Sequence, residues 1–130
     1  MQDRSTSRRC GCQSHRPRGC FDPAAGFRYA RAALAAGAKV ILLTPTHDEP
    51  ALYPSGDVDA SLLPLHAEAI RRLAPEEGVG LADSYAAFDR ATRGGTDLAN
   101  LLSWVNHPNQ RGHELVVQEL MRWFPPLIDG

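Results

Sequence analysis

Apolar residues recur along the chain with two periods, and their alternation predicts the architecture. From Pro23 to Gly37, Phe27, Ala30 and Leu34 share one helical face while Arg28 and Arg31 fall on the other. Asp22 can cap the free N–H groups at the helix start, and Pro23 suits the first helical position, where no donor is needed. The run Val40-Ile41-Leu42-Leu43 follows, too short for a helix and typical of a strand buried on both faces of a parallel sheet. Two prolines in the stretch from Thr44 to Pro50 stop both ladder and helix, so a loop is expected there.

A second helix is predicted from about Leu63, with Pro64 in its first turn. Leu65, Ala69, Ile70 and Leu73 supply the buried stripe, Arg71 and Arg72 face outward, and Pro75 and Gly78 close it. Val79-Gly80-Leu81-Ala82 reads as a second short strand, weakened by Gly80, and Asp83 as the N-cap of a helix carrying Tyr85 and Phe88. After a Gly94-Gly95 turn, a short helix is expected from Asp97 to Leu102. The last helix is capped by Asn109, carries Val116, Leu120 and Trp123 on one face, and stops at Pro125-Pro126. Helix, strand, helix, strand is the order of an α/β layer fold, and the intervening helix makes the strands parallel with a right-handed crossover.

Composition narrows the class. The chain has 130 residues, 43% hydrophobic and 22% charged, with a formal net charge of -1, which fits one soluble domain without a pull toward nucleic acid or membrane. No stretch approaches the roughly 20 apolar residues that a membrane helix needs, and no apolar run opens the chain as an export signal, so a cytoplasmic location is expected. Arg4, Arg8, Arg9, Arg16 and Arg18 stand against Asp3 alone in a segment almost free of aliphatic residues. Residues 1–21 are therefore expected to form a disordered basic leader, and residues 22–130 the folded domain.

All three cysteines, Cys10, Cys12 and Cys20, lie in that leader, so the domain is expected to hold no disulfide. With His15 they make a donor set that zinc accepts, but the single residue between Cys10 and Cys12 is tighter than the usual two to four. No metal or cofactor is expected. The arginines have no aromatic residues between them, so nucleic-acid binding is not expected either.

Chemistry concentrates in Asn106-His107-Pro108-Asn109-Gln110-Arg111-Gly112-His113-Glu114. Pro108 stiffens the backbone after His107, and an imidazole held on such a loop at the mouth of a sheet can move protons near neutral pH. His47 and Asp48, on the loop after the first strand, are candidates for lining a pocket. His66 and His113 read as ordinary helix residues, and Ser84 as part of a helix start.

The string His-Pro-Asn, two residues, Gly-His before an apolar helix resembles the final sequence block of SGNH/GDSL hydrolases. Two further segments resemble that family in the right order: Leu34 to Thr46, with its Thr44-Pro45 exit, and Gly78 to Phe88. The resemblance implies a three-layer, flavodoxin-like SGNH hydrolase fold with a parallel sheet, represented by its C-terminal part. It also implies hydrolysis of small-molecule carboxylic esters, acyl or acetyl, by Ser-His chemistry, with His107 as the general base.

Departures from the family are equally specific. No Gly-Asp-Ser string supplies a nucleophile; Ser55-Gly56-Asp57 is reversed and falls after the first strand. The glycine and asparagine blocks that supply oxyanion donors are missing. Trp104 stands where the family usually has the aspartate that orients the histidine, leaving Asn106 or a main-chain carbonyl to do so unless a Ser-His dyad operates; Asp83 is a substitute candidate, though its place at a strand-to-helix junction favours the N-cap. The expectation is a fragment of a longer esterase, silent alone, with an exposed sheet edge. The alternative is a non-catalytic module that binds a partner through that edge.

Overall fold

Strands β1 (Ile41–Leu43) and β2 (Gly80–Ala82) run parallel, with Ile41 opposite Gly80 and Leu43 opposite Ala82. The computed structural model describes residues 23–49 and 62–124. The leader, Asp22, the Ser55-Gly56-Asp57 string and the Pro125-Pro126 stop lie outside the described residues. Helix α1 (Pro23–Ala35) precedes β1, and α2 (Leu62–Glu76) connects the strands and packs on both. Then follow α3 (Ser84–Arg93), a single 3₁₀ turn (Leu98–Asn100), an antiparallel hairpin of β3 (Leu102–Trp104) and β4 (His107–Pro108), and α4 (Gln110–Met121). The expected α/β architecture with parallel strands is present.

Both helices that lead into strands end on a glycine in the left-handed region. Gly37 has φ 80° and Gly78 φ 64°, and the next residue bonds back five positions, Ala38 N–H to Ala33 O at 3.0 Å and Val79 N–H to Ala74 O at 2.9 Å. These closures turn the chain directly into β1 and β2. Among the described residues β1 pairs only with β2. Burial on both faces, expected of β1, is therefore not met: Ile41 and Leu42 are half-buried and Leu43 is 42% exposed.

The buried stripe of α2 is also rotated from expectation. Ala67, Leu73 and Ala74 are buried, Ala69 and Ile70 are only half-buried, and Leu65 is exposed. Arg71 lies at i+4 from Ala67 and i−3 from Ala74, so it falls on the packed face instead of pointing outward, and a carboxylate meets it there. Pro75 sits within the last turn and does not follow it.

Gly80, which weakens β2 as a strand, is a matter of space. A Cβ there would lie 3.1 Å from the Trp123 ring and 3.1 Å from Ile41 Cγ1, and the Trp123 indole N–H donates to Leu81 O at 2.8 Å. Trp123 thus ties the end of α4 to the sheet, although its outer side is exposed.

The main core lies between α3, α4 and the hairpin. Phe88, Leu101 and Leu102 are buried, with Ala91, Leu98, Leu115 and Val116 packed around them. The helix expected from Asp97 to Leu102 is only the 3₁₀ turn, capped by Asp97 accepting from Ala99 N–H, because Leu101 and Leu102 leave it to enter this core. Among the described residues no helix is long and apolar enough to cross a membrane.

Candidate active site

The histidine expected on a loop stands on a two-residue strand. Its hairpin is held from three sides: Ser103 Oγ donates to His107 O at 3.1 Å, Asn109 N–H donates to Leu101 O at 3.0 Å, and the buried Val105 accepts from Glu49 N–H at 2.7 Å. The last bond joins the hairpin tip to the loop that leaves β1. It places the tip at the carboxyl edge of the parallel strands, where open α/β sheets bind ligands.

Asn109 fixes the other end. Its Oδ1 accepts from Gly112 N–H at 3.1 Å as the expected N-cap, and its Nδ2 donates to Asn100 O at 2.9 Å. Gly112 packs so closely that a Cβ there would fall 2.3 Å from Leu101 O and 2.9 Å from Pro108 Cβ. The spacing from His107 to Gly112 thus reflects a helix start pressed against the hairpin.

His107 is exposed, and its Nδ1 lies 2.6 Å from Asn106 Oδ1. An amide oxygen can only accept, so this contact is a hydrogen bond in the ring form that carries a proton on Nδ1, and a neutral ring of that form has Nε2 as its basic nitrogen. Of the groups expected to orient the ring, Asn106 is the one in contact with it. Trp104 pairs across the hairpin with His107 and is 66% exposed.

Asp83 is engaged elsewhere. It caps α3 through Ala86 N–H at 3.1 Å, accepts from Thr44 Oγ1 at 3.0 Å, and takes Nε of Arg71 at 2.7 Å and Nη2 at 3.0 Å. Thr44 Oγ1 in turn accepts from Tyr85 N–H at 2.9 Å. Burial alone would push the Asp83 carboxyl up, but the bonds from Arg71, Ala86 and Thr44 together outweigh it and hold the carboxyl below its ordinary range. The Arg71 guanidinium is correspondingly pushed up, chiefly by its bond to Asp83.

His47 packs on Tyr85 with ring centroids 4.2 Å apart, and its Nε2 lies 3.1 Å from Asp89 Oδ1 without the alignment of a hydrogen bond. It fastens the loop after β1 to α3. Burial, with the charges of Asp89 and Asp48, raises the Tyr85 phenol above its usual range. Ser84 is completely buried, so its hydroxyl cannot meet a substrate. His113 is exposed on α4 and His66 half-buried on α2. Among the described residues no cluster of histidine, cysteine and acidic side chains could hold a metal.

The apolar pattern places Arg71 outward and does not mark Glu119, which is buried on α4 between Arg90 and Arg122. A signal existed for both: each is a charge placed at core spacing, Arg71 four after Ala67 and Glu119 four after Leu115.

No family model and no curated protein matches the sequence. Solved structures do match. An alpha/beta hydrolase enzyme from the metagenome of Lake Arreo is 23% identical, with a TM-score of 0.57 over 78% of this chain and 47% of that one. The acetylxylan esterase Axe2 of Geobacillus stearothermophilus, as a catalytic aspartate mutant, is 20% identical, with a TM-score of 0.61 over 77% and 44%. A member of the lipolytic G-D-S-L family from Veillonella parvula is 20% identical, with a TM-score of 0.58 over 83% and 57%.

The chain has the SGNH/GDSL hydrolase fold. It spans about half the length of the three solved structures. Catalytic mutants of Axe2 fall at a serine, an aspartate and a histidine, the last two three positions apart. Trp104 and His107 have the same separation.

Proposed function

We propose that the chain carries the histidine-bearing part of an esterase that hydrolyses carboxylic, acyl or acetyl, esters by Ser-His chemistry. The observation that supports this reading is the Asn106–His107 contact on a hairpin tied to the loop after β1: with Nδ1 donating to Asn106 Oδ1, Nε2 is the nitrogen left to act as the base. In this role Nε2 takes the serine proton during attack on the ester carbonyl and returns it to the departing alkoxide. Asn106 holds the ring as a neutral acceptor; it cannot neutralise the imidazolium as a carboxylate does.

The 130 residues hold no Gly-Asp-Ser string, so on this reading they are silent alone. The test joins them, from α1 onward, to the Gly-Asp-Ser-bearing part of the Veillonella parvula protein and assays short-chain p-nitrophenyl esters. A folded chimera should turn over, and His107→Ala should abolish turnover. A folded chimera indifferent to His107→Ala would contradict the proposal, and so would His107-dependent turnover by the chain alone contradict its silence.

A second reading, a module that binds a partner, draws on a different observation. Leu43 leaves β1 partly uncovered, and an apolar cleft of about 410 Å³ lies at the amino ends of the strands between Leu34, Val40, Ile41, Val79, Trp123 and Phe124. Sedimentation of the purified chain checks this: a stable monomer with one sharp unfolding transition opposes it.

A further inference from the structure

The turn that presents His107 is held from outside its own hairpin. Strands β3 and β4 are only three and two residues long, and a bulge shifts their register between Leu102 and Trp104, so their own ladder determines the turn weakly. Val105 and Asn106 form that turn, and Glu49 N–H donates to Val105 O at 2.7 Å. A peptide unit is planar, so a fixed Val105 carbonyl constrains the direction in which Asn106 leaves it. Asn106 is the residue whose Oδ1 meets His107 Nδ1 at 2.6 Å.

The loop that supplies Glu49 is anchored twice. Thr44 holds its start, with its N–H on Ala82 O at 3.1 Å and its hydroxyl on Asp83 at 3.0 Å. His47 holds its end. The His47 side chain is 16% exposed, and its ring lies 4.2 Å from the Tyr85 ring and 5.9 Å from that of Phe88, to which it is inclined by only 20°. Its buried Nε2 makes no hydrogen bond, so the hold on α3 is made by the ring faces. Phe88 is completely buried and packs with Leu101 and Leu102, which lead into the hairpin. Loop and hairpin thus rest on one buried ring and are bonded to each other two residues beyond His47.

From these contacts we infer that His47 is a positioning residue for His107. By docking its ring on Tyr85 and Phe88 it sets where Glu49 meets Val105, and so keeps Asn106 against the His107 ring. The inference deepens the proposed esterase reading and rests on it for the catalytic consequence, whereas the positioning is a property of the chain itself. The effect of His47 passes through the backbone of Glu49 and Val105. A phenyl ring with the same faces serves the same purpose, because the buried Nε2 has no hydrogen bond to lose.

The test uses the full 130-residue chain in ¹⁵N-edited NMR at about pH 9, where an imidazole is neutral, with the His107 ring signals assigned by His107→Gln. His47→Ala is expected to move the His107 ring toward a mixture of its two neutral forms, without moving the rings of His66 and His113. His47→Phe is expected to restore the wild-type His107 signals. His47→Gln, which keeps a polar side chain but no ring face, takes the place of His47→Ala if that variant does not fold. Unchanged His107 signals in the folded variant, equal shifts of all three rings, or no restoration by His47→Phe overturns the inference. In the esterase chimera, His47→Ala should lower kcat about tenfold with KM changed less than about twofold. An active chimera whose kcat ignores His47→Ala also overturns it. A His107 shift in the chain together with an inactive folded chimera sinks the esterase reading and leaves the positioning standing.

Discussion

The Arg71 guanidinium meets the Asp83 carboxylate side-on, Nε 2.7 Å from Oδ2 and Nη2 3.0 Å from Oδ1. Because Asp83 Oδ1 also receives Thr44 Oγ1 and Ala86 N–H, one carboxylate joins α2, the end of β1 and the start of α3. The carboxyl edge of the sheet, on which the hairpin rests, is built around this group. Two half-buried partners with several hydrogen bonds make the pair worth more than an exposed surface bridge.

Asp83→Ala removes the acceptor, so the buried Thr44 hydroxyl has nowhere to donate and Arg71 keeps its longer contact to Glu68 at 3.7 Å. It should lower stability by about 2–3 kcal/mol. Urea unfolding at neutral pH measures this, and a change within about 0.5 kcal/mol, the range of ordinary surface substitutions, would mean that the cluster is not what holds the edge.

Acid should act through the same group. The Asp83 carboxyl is depressed in the folded state, so its contribution is present above the unfolded carboxylate range, near pH 4, and is lost as pH falls through the lower folded value. The wild-type chain should lose stability below about pH 4 more steeply than Asp83→Asn. Parallel acid slopes for the two would remove Asp83 from the account.

Gly112→Ala tests the packing at the helix start. Alanine inside a helix ordinarily gains up to about 1 kcal/mol over glycine. Here its Cβ would meet Leu101 O at 2.3 Å, backbone that cannot swing aside, so destabilisation by about 1–3 kcal/mol is expected. A higher midpoint in thermal or urea unfolding would show that α4 stands off from the hairpin.

Glu119 should respond differently to two substitutions. Its carboxylate is buried, yet its partners Arg90 and Arg122 are exposed and can return to water. Replacing the carboxylate with leucine removes a desolvated charge without stranding another, so Glu119→Leu should be neutral or stabilising by up to about 1 kcal/mol. Glu119→Ala, which leaves a gap beside α3, should be less stable than Glu119→Leu by about 1–2 kcal/mol in urea unfolding.

Much of this arrangement was legible in the residues. The parallel strands, the Asp83 and Asn109 caps and the helix ends at Gly37 and Gly78 follow from local rules of period and capping, which need only a few neighbouring residues. Arg71 and Glu119 stand at core spacing, but periodicity alone assigns charge outward, and a charge on a packed face is explained only by a partner distant in sequence. The β3–β4 hairpin was missed because its strands are three and two residues long, below the length at which alternation can be read, and because its bulge breaks the alternation at Trp104. His107 is singled out by its sequence block, and its contact with Asn106 emerges only from the side-chain geometry.

The state of the His107 ring tests the central claim most directly. In ¹⁵N-edited NMR at about pH 9, where an imidazole is neutral, Nδ1 should carry the proton and Nε2 should show the shift of a bare ring nitrogen. Asn106→Ala should move the ring toward a mixture of the two forms. A wild-type ring already protonated on Nε2, and unchanged by Asn106→Ala, would contradict a histidine poised as a base.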